Sequence, residues 1–295
     1  MWGIMGWIER HVVFNPTANK GRAASCRVEI SRSLAGGGEV IWHVTEGSGH
    51  AEQIASGLPD DALVIAAGGD GTVHEVAAAC AGTGRTMGVL PMGSGNDYVK
   101  ALGMGTRMRR ALEVLRAGKV RTVDVGEVNG IRFNNGLGIG FDAEVAAGVA
   151  EAPRYLGGFG GYLWSVGRLL LGFECHGATL KLDGERIEAK TILVAVALGT
   201  TYGAMFRLAP EARLDDGLFD VIWSDEVNRA QVLRLIPMAL RGTLLRSPKV
   251  HMTRAREVGV ELEENVPAHV DGEILAPTRT FEARVLPGAL RVVAP

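Results

Sequence analysis

The 295 residues exceed the usual size of one domain, and 47% hydrophobic against 22% charged residues excludes a disordered chain and supports two domains with sizeable cores. A formal net charge of −2 argues against a nucleic-acid binder, and Arg107, Arg109, Arg110, Arg116, Lys119 and Arg121 read more simply as a solvated helix face. Cys26, Cys80 and Cys175 are odd in number and widely spaced, which excludes a disulfide framework or zinc site and fits a cytosolic chain. Residues 1–10 lack the basic and apolar regions of a signal peptide, and an extension before the first strand is expected there.

Residues 11–14 predict a first strand, closed by the polar loop 15–21 before a helix over 22–34. Residues 40–44 form the second expected strand, and Thr45 opens the loop into a helix through Ala51, Ile54 and Ala55. The apolar run 62–67 has the pattern of a strand buried on both faces. It stops at Gly68-Gly69-Asp70-Gly71-Thr72, after which Val73, Val76, Ala77 and Cys80 recur at helical spacing. A glycine-rich strand-to-helix junction suits a phosphate, because the backbone can approach closely and the helix offers unpaired N–H groups. Thr72 adds a hydroxyl donor. Asp70 beside phosphates requires an intervening cation, which implies Mg²⁺; a tight turn with Asp70 capping the helix is the alternative. Ligands of open α/β sheets collect at the carboxyl ends of the strands, so Asn15, Thr45 and Asp70 are expected to converge on one crevice.

The next unit has a strand over 86–90 and the loop Pro91-Met92-Gly93-Ser94-Gly95-Asn96-Asp97. Gly93 and Gly95 again permit close approach, Ser94 and Asn96 offer hydrogen bonds, and Asp97 adds a second carboxylate to the rim. Asn15-Pro16 with Gly21, Gly68-Gly69-Asp70-Gly71-Thr72 and Leu90-Pro91-Met92-Gly93-Ser94-Gly95-Asn96-Asp97 resemble motifs of the diacylglycerol kinase catalytic-domain family of lipid kinases. That family includes sphingosine kinases and bacterial relatives. Two later motifs, at 209–220 and at Asp271-Gly272-Glu273, extend the resemblance over nearly the whole chain. The first glycine motif is shared with NAD kinases, whereas the Asn96-Asp97 segment is characteristic of the lipid kinases. Ser94 stands where the family usually has Thr.

From about Val123 the pattern changes. Asn129-Gly130 between apolar segments signals a hairpin. Asp124, at the boundary, either joins Asp70 and Asp97 around hydrated metal or is a solvated edge carboxylate. Residues 155–173 reach only the lower limit of a membrane span, about 17–25 residues. Their glycines and Arg168 favour a buried helix beside a lipid-binding cleft. Strands over 178–182, 191–198 and 218–223, with Asp183-Gly184 as a turn, suggest a β-sandwich. In relatives, the loop matching 209–220 holds a structural Mg²⁺, and the resemblance assigns the carboxylate to Asp216 and the carbonyls to Arg213 and Leu218; an acidic turn is the alternative. An amphipathic helix is expected over 227–246, then strands at 258–262 and 268–270. Asp271 and Glu273 follow, two carboxylates that would share one face of a strand end, or that flank a hairpin turn. Strands at 280–285 and 290–293 are expected to return to the first domain.

The fold expected is α/β plus all-β: an N-terminal α/β ATP-binding domain over 1–124, completed by 286–295, and an antiparallel β-sandwich over 125–285, with a crevice between them. The resemblance implies a lipid kinase using ATP and Mg²⁺ on a diacylglycerol-like hydroxyl. Asn15, Thr45, Gly68, Gly69, Asp70, Gly71, Thr72, Glu75, Ser94 and Asn96 would hold nucleotide. Asp70, Asp97 and Asp124 would hold catalytic metal. Asp271 would be the general base, with Glu273 orienting. An NAD kinase-like enzyme and a non-catalytic nucleotide-binding regulator are the rivals. The partner expected is a lipid at a membrane surface, with cytoplasmic, peripheral association, no nucleic acid and no transmembrane segment; a homodimer is left open.

Overall fold

The computed structural model describes residues 9–18, 26–35, 38–153, 157–170, 172 and 174–295. Gly21, the start of the helix expected over 22–34, and Tyr155 lie outside them. Strands β1 (Glu9–Phe14), β2 (Glu39–Val44), β3 (Leu63–Gly68) and β4 (Thr86–Pro91) are parallel, in the order β4-β3-β1-β2. Helices α1 (Arg27–Leu34), α2 (His50–Ser56), α3 (Asp70–Cys80), α4 (Asp97–Ala101) and α5 (Met108–Ala117) alternate with them. Every residue of β3 and β4 is buried, which is why both read as unbroken apolar runs rather than as alternating ones.

The register levels the strand ends. Phe14 lies opposite Val44 and Ala67, and Ala67 lies opposite Leu90. The following residues, Asn15, Thr45, Gly68 and Pro91, therefore form one rim at the carboxyl edge of the sheet. Helix α3 begins at Asp70 itself, with Gly69 as its cap, so Asp70, Gly71 and Thr72 are its first turn rather than a loop.

The second half contains β5 (Val120–Val128), β6 (Ile131–Phe133), β7 (Gly136–Gly140), α6 (Phe141–Glu151), α7 (Gly157–Leu169), β8 (His176–Leu182), β9 (Glu185–Thr191), β10 (Leu193–Ala197) and β11 (Phe219–Ser224). These are followed by α8 (Arg229–Arg241), β12 (Val250–Ala255), β13 (Glu257–Val270) and β14 (Glu273–Val293). Strands β12-β11-β10-β7-β13-β14 are antiparallel neighbours. The 21 residues of β14 join the two halves: it pairs antiparallel with β13 and β5, and parallel with β4 through Arg291 and Val292. The two strands expected at 280–285 and 290–293 are thus one, and the segments at 258–262 and 268–270 are both part of β13, which carries register shifts between them.

Three two-residue turns close hairpins, Asn129-Gly130, Asp183-Gly184 and Asp271-Gly272, each with positive φ at both positions, the I′ geometry that suits the strand twist. The last of these corrects an expectation. Asp271 and Glu273 do not share one face of a strand, because Val270 ends β13, Glu273 opens β14, and Asp271 lies in the turn. Helix α7 covers 13 residues of the apolar stretch, and among the described residues no helix is long and apolar enough to cross a membrane. The helix expected over 227–246 is shorter. A capping box on Asn228 starts it, and Gly242, at φ 69°, stops it.

Candidate active site

The two glycine motifs meet by backbone contact. A Cβ on Gly93 would stand 2.7 Å from the Cα of Gly69, so glycine is required for the loop after β4 to lie against the cap of α3. Asp70 ties the two together: its carboxylate accepts from the amides of Asn96 and Asp97, each at 2.8 Å. Burial, and then the charge of Asp97, push the Asp70 carboxyl above its ordinary range. A dication between these carboxylates and a phosphate would relieve that charge. Mg²⁺ is commonly held by one or two carboxylates together with substrate phosphates, and Asp70 with Asp97 fits this donor set.

Asp97 is itself held by Lys100 Nζ at 2.8 Å and by the amide of Ala204, also at 2.8 Å. Lys100 Nζ donates to the Ala204 carbonyl at 2.7 Å as well. Helix α4 is thereby fastened to the second half of the chain, and Lys100 is a site residue that the sequence reading missed.

Asp124 does not join the pair. It is buried, accepts from the amides of Gly217 and Gly288 at 2.7 and 2.8 Å, and so pins the loop after Arg213 to β5. Among the described residues no three His, Cys, Asp or Glu side chains gather as a ready metal centre. In the same loop Asp216 accepts from the Leu218 amide at 3.2 Å, while Arg213 pairs with Asp215.

Other expected nucleotide contacts are committed to the protein. Asn96 closes its own loop, accepting from the Gly93 amide and donating to the Gly93 carbonyl. Glu75 caps α2 instead of facing the rim: its oxygens accept from the amides of Gly49 and Ala51 at 2.8 and 2.9 Å. Asn15 donates to the Thr72 hydroxyl at 3.2 Å, and Thr45 is buried at the end of β2. Ser94 is exposed.

At the other side of the rim lies the turn carrying Asp271. Its carboxylate is almost fully buried and accepts four hydrogen bonds, from the amides of Asn134, Asn135 and Gly136 at 2.8 to 2.9 Å and from His74 Nδ1 at 2.7 Å. Burial alone would raise its pKa; the bond and charge of His74 and the amide donors outweigh it and hold the carboxyl below the ordinary value. Glu273 is exposed beside α3, where a Cβ on Gly71 would come within 2.7 Å of its Oε1. The neighbouring His269 accepts from the Gly272 amide at 3.2 Å and lies 3.3 Å from Asp142. His74, Asn134, Asn135, Asp142 and His269 escaped the sequence reading. The one available signal was a polar Asn134-Asn135 pair before a glycine-rich segment.

A single cavity of about 690 Å³ runs from this polar end into the second half. Asp70, Ser94, Asp97, Asp271 and Glu273 line its polar end. Its interior is apolar, walled by residues such as Phe206, Trp223, Leu235, Ile236 and Leu244. Helix α8 contributes its apolar face, and Asp124 does not line the cavity.

A polar rim for phosphates opening into a hydrocarbon-lined hollow defines a phosphotransferase for an amphipathic acceptor. Residues 9–128 match the diacylglycerol kinase catalytic domain, and residues 136–294 match the YegS C-terminal NAD kinase beta sandwich-like domain. The chain is 30% identical over 268 residues to a diacylglycerol kinase of Bacillus subtilis (strain 168), covering 89% of this chain and 88% of that one. It is 29% identical over 268 residues to a diacylglycerol kinase of Staphylococcus carnosus (strain TM300), covering 89% and 87%. In fold it is similar to the crystal structure of a diacylglycerol kinase from Bacillus anthracis str. Sterne, with TM-score 0.74, 20% identity, and 98% and 97% of the two chains covered. The chain belongs to the diacylglycerol kinase catalytic-domain family. It is an ATP-dependent lipid kinase, and the NAD kinase-like alternative is set aside.

Proposed function

We propose that the chain transfers the γ-phosphoryl of ATP, bound as its Mg²⁺ complex, to the hydroxyl of diacylglycerol or a closely similar lipid. The observation that carries this reading is the continuity of the cavity: one hollow of about 690 Å³ has the glycine rim at one end and an apolar interior at the other, within the range of about 300–1,000 Å³ common for ligand sites. An acyl chain in the interior would leave its hydroxyl at the polar end, beside Asp271 and Glu273.

Phosphoryl transfer asks the protein mainly for positioning and charge neutralisation. In this reading the amides at the start of α3, with Thr72 and Ser94, hold phosphate oxygens. Asp70 and Asp97 would hold Mg²⁺, which would supply neutralisation of the developing charge. Asp271 accepts the hydroxyl proton, and Glu273 orients the hydroxyl. The loop carrying Arg213, Asp216 and Leu218 is offered as a second, structural Mg²⁺ position. We place the division between ATP-binding and acceptor-binding regions along β5 and β14, the strands common to both, close to the 124/125 boundary read from sequence. Cytoplasmic, peripheral membrane association would bring the lipid to the cavity.

The test is label transfer from γ-labelled ATP to a panel of diacylglycerol, monoacylglycerol, a sphingoid base and a polyprenol in mixed micelles, with and without Mg²⁺. Mg²⁺-dependent labelling of diacylglycerol above the others is expected. Labelling of NAD⁺ instead, or of no lipid, would sink the proposal.

A further inference from the structure

Helix α3 presents two neighbouring positions to the Asp271 turn. Gly71 and His74, three residues apart, lie on one helical face. At the first, the missing side chain admits Glu273, whose Oε1 would be 2.7 Å from a Cβ there. One turn on, His74 Nδ1 reaches Asp271 Oδ2 at 2.7 Å across 197 residues of sequence. The helix whose first turn faces the phosphate site thus also grips the carboxylate that faces the acceptor.

An ionised carboxylate offers about four acceptor positions, and on Asp271 four donors fill them. Three are main-chain amides leading into β7. Their withdrawal would require moving residues 134–136, to which the turn is also fixed by the Asp271 amide bond to the Gly136 carbonyl at 2.9 Å. The fourth donor is a ring on a side chain, which can swing away. A lipid hydroxyl can therefore give its proton to Asp271 only in the place that His74 holds.

We propose, on the lipid kinase reading above, that His74 is a positioning residue for phosphoryl transfer, whose ring occupies the acceptor position on Asp271 and yields it to the hydroxyl more readily when neutral than when protonated. The step balances without another reactant. The hydroxyl O–H bond breaks as its oxygen bonds to the γ-phosphorus, the proton passes to Asp271 Oδ2, and the bridging P–O electron pair leaves with ADP. The charged groups facing His74 are Asp271 and Glu273 from the turn and β14, and Glu52 from α2. Burial disfavours the cationic ring, yet the bond and charge of Asp271, with Glu273 and Glu52, raise its pKa above the ordinary 6.5. A charge-assisted bond is stronger than a neutral one, so exchange is hindered below that raised value and eased above it.

His74→Asn tests this, because an asparagine amide can replace the Nδ1 donor and cannot titrate. Turnover of diacylglycerol is measured for both proteins over a pH series, and the wild-type-to-variant ratio cancels ionisations of nucleotide and buffer. That ratio should rise between one pH unit below and one above the ring's midpoint, by up to about tenfold, the limit a single titration sets when the protonated form is inactive. A constant ratio would overturn the proposal. Ring titration by NMR on the nucleotide-free protein supplies a readout apart from activity. The His74 midpoint should lie above 6.5 in wild type and fall in Asp271→Asn and, by less, in Glu273→Gln. An equal midpoint in all three would contradict it. Wild type that labels no lipid would remove the functional reading alone, while the NMR series still decides whether His74 and Asp271 are coupled.

Discussion

The rim and the acceptor end of the cavity are built differently. At the rim, Gly68 ends β3, Gly69, Asp70 and Gly93 come just after β3 and β4, and strand register brings them together. At the acceptor end, Asp271 is held by His74, Asn134, Asn135 and Gly136, each more than a hundred residues from it in sequence. The rim works through main-chain groups that glycine exposes, the acceptor end through one carboxylate fixed by distant donors. Disturbing the rim should therefore abolish nucleotide binding, whereas disturbing the acceptor end should spare binding and stop transfer.

The largest expected effect is at the rim. Gly93→Arg would force the loop after β4 away from the cap of α3, where even a Cβ would stand 2.7 Å from the Gly69 Cα, and calorimetric titration should detect no Mg·ATP affinity. Wild-type affinity would refute the phosphate assignment. At the acceptor end, Asp271→Asn should lower turnover by roughly 10²–10⁴-fold with ATP affinity within a few-fold. It should also melt earlier, since an amide NH₂ turned toward main-chain donors costs about 1–3 kcal/mol. Within the cavity, Ala239→Phe narrows the interior where Ala239 lines it. The KM for lipid should rise about tenfold or more, because each methylene excluded from the cavity forfeits about 0.8 kcal/mol, while the KM for ATP stays unchanged. Glu75→Gln removes a charged cap from α2, and should cost about 0.5–2 kcal/mol of stability with little change in turnover, separating Glu75 from the nucleotide site.

Acid stability sharpens the contrast further. The folded-state pKa of Asp271 lies below its ordinary value of 3.8, so its contribution is complete above that value and disappears as pH falls through the folded pKa. Asp70, raised by burial and by Asp97, has the opposite sign: its ionisation in the folded protein weakens stability as pH climbs from the ordinary aspartate value to the raised one. Denaturant midpoints of Asp271→Asn should consequently fall less than those of wild type on acidification below pH 3.8.

Much of the rim could be read from sequence because its signals are local. A buried parallel strand leaves an unbroken apolar run, and the glycines that follow mark where backbone must come close. What periodicity left unread there was side-chain commitment: Glu75 and Asn96 satisfy nearby amides, and nothing in their spacing distinguishes that from contact with a ligand. The acceptor end resisted reading for a different reason. Strand β7 and helix α6 had no expected counterpart, since Gly136–Gly140 is buried at every position and shows no alternation. His74 looks like any polar residue of a helix until the turn 197 residues later is folded against it. Asp271-Gly272 was legible as a hairpin signal, and its geometry matches that of Asn129-Gly130 and Asp183-Gly184; Asp183 is likewise cradled by main-chain amides, and what sets Asp271 apart is the bond from His74 and its place on the cavity wall.

The central claim is that rim and cavity serve one transfer. It is tested most directly by following label from γ-labelled ATP into diacylglycerol with wild type and with Ala239→Phe, alongside Mg·ATP binding by each. Labelled lipid from wild type, and a variant that binds Mg·ATP equally well but labels lipid at least about tenfold more slowly at low lipid concentration, is the result expected. Equal lipid labelling by a folded Ala239→Phe protein would contradict the claim, because the acceptor would then reach the rim by a route outside the cavity.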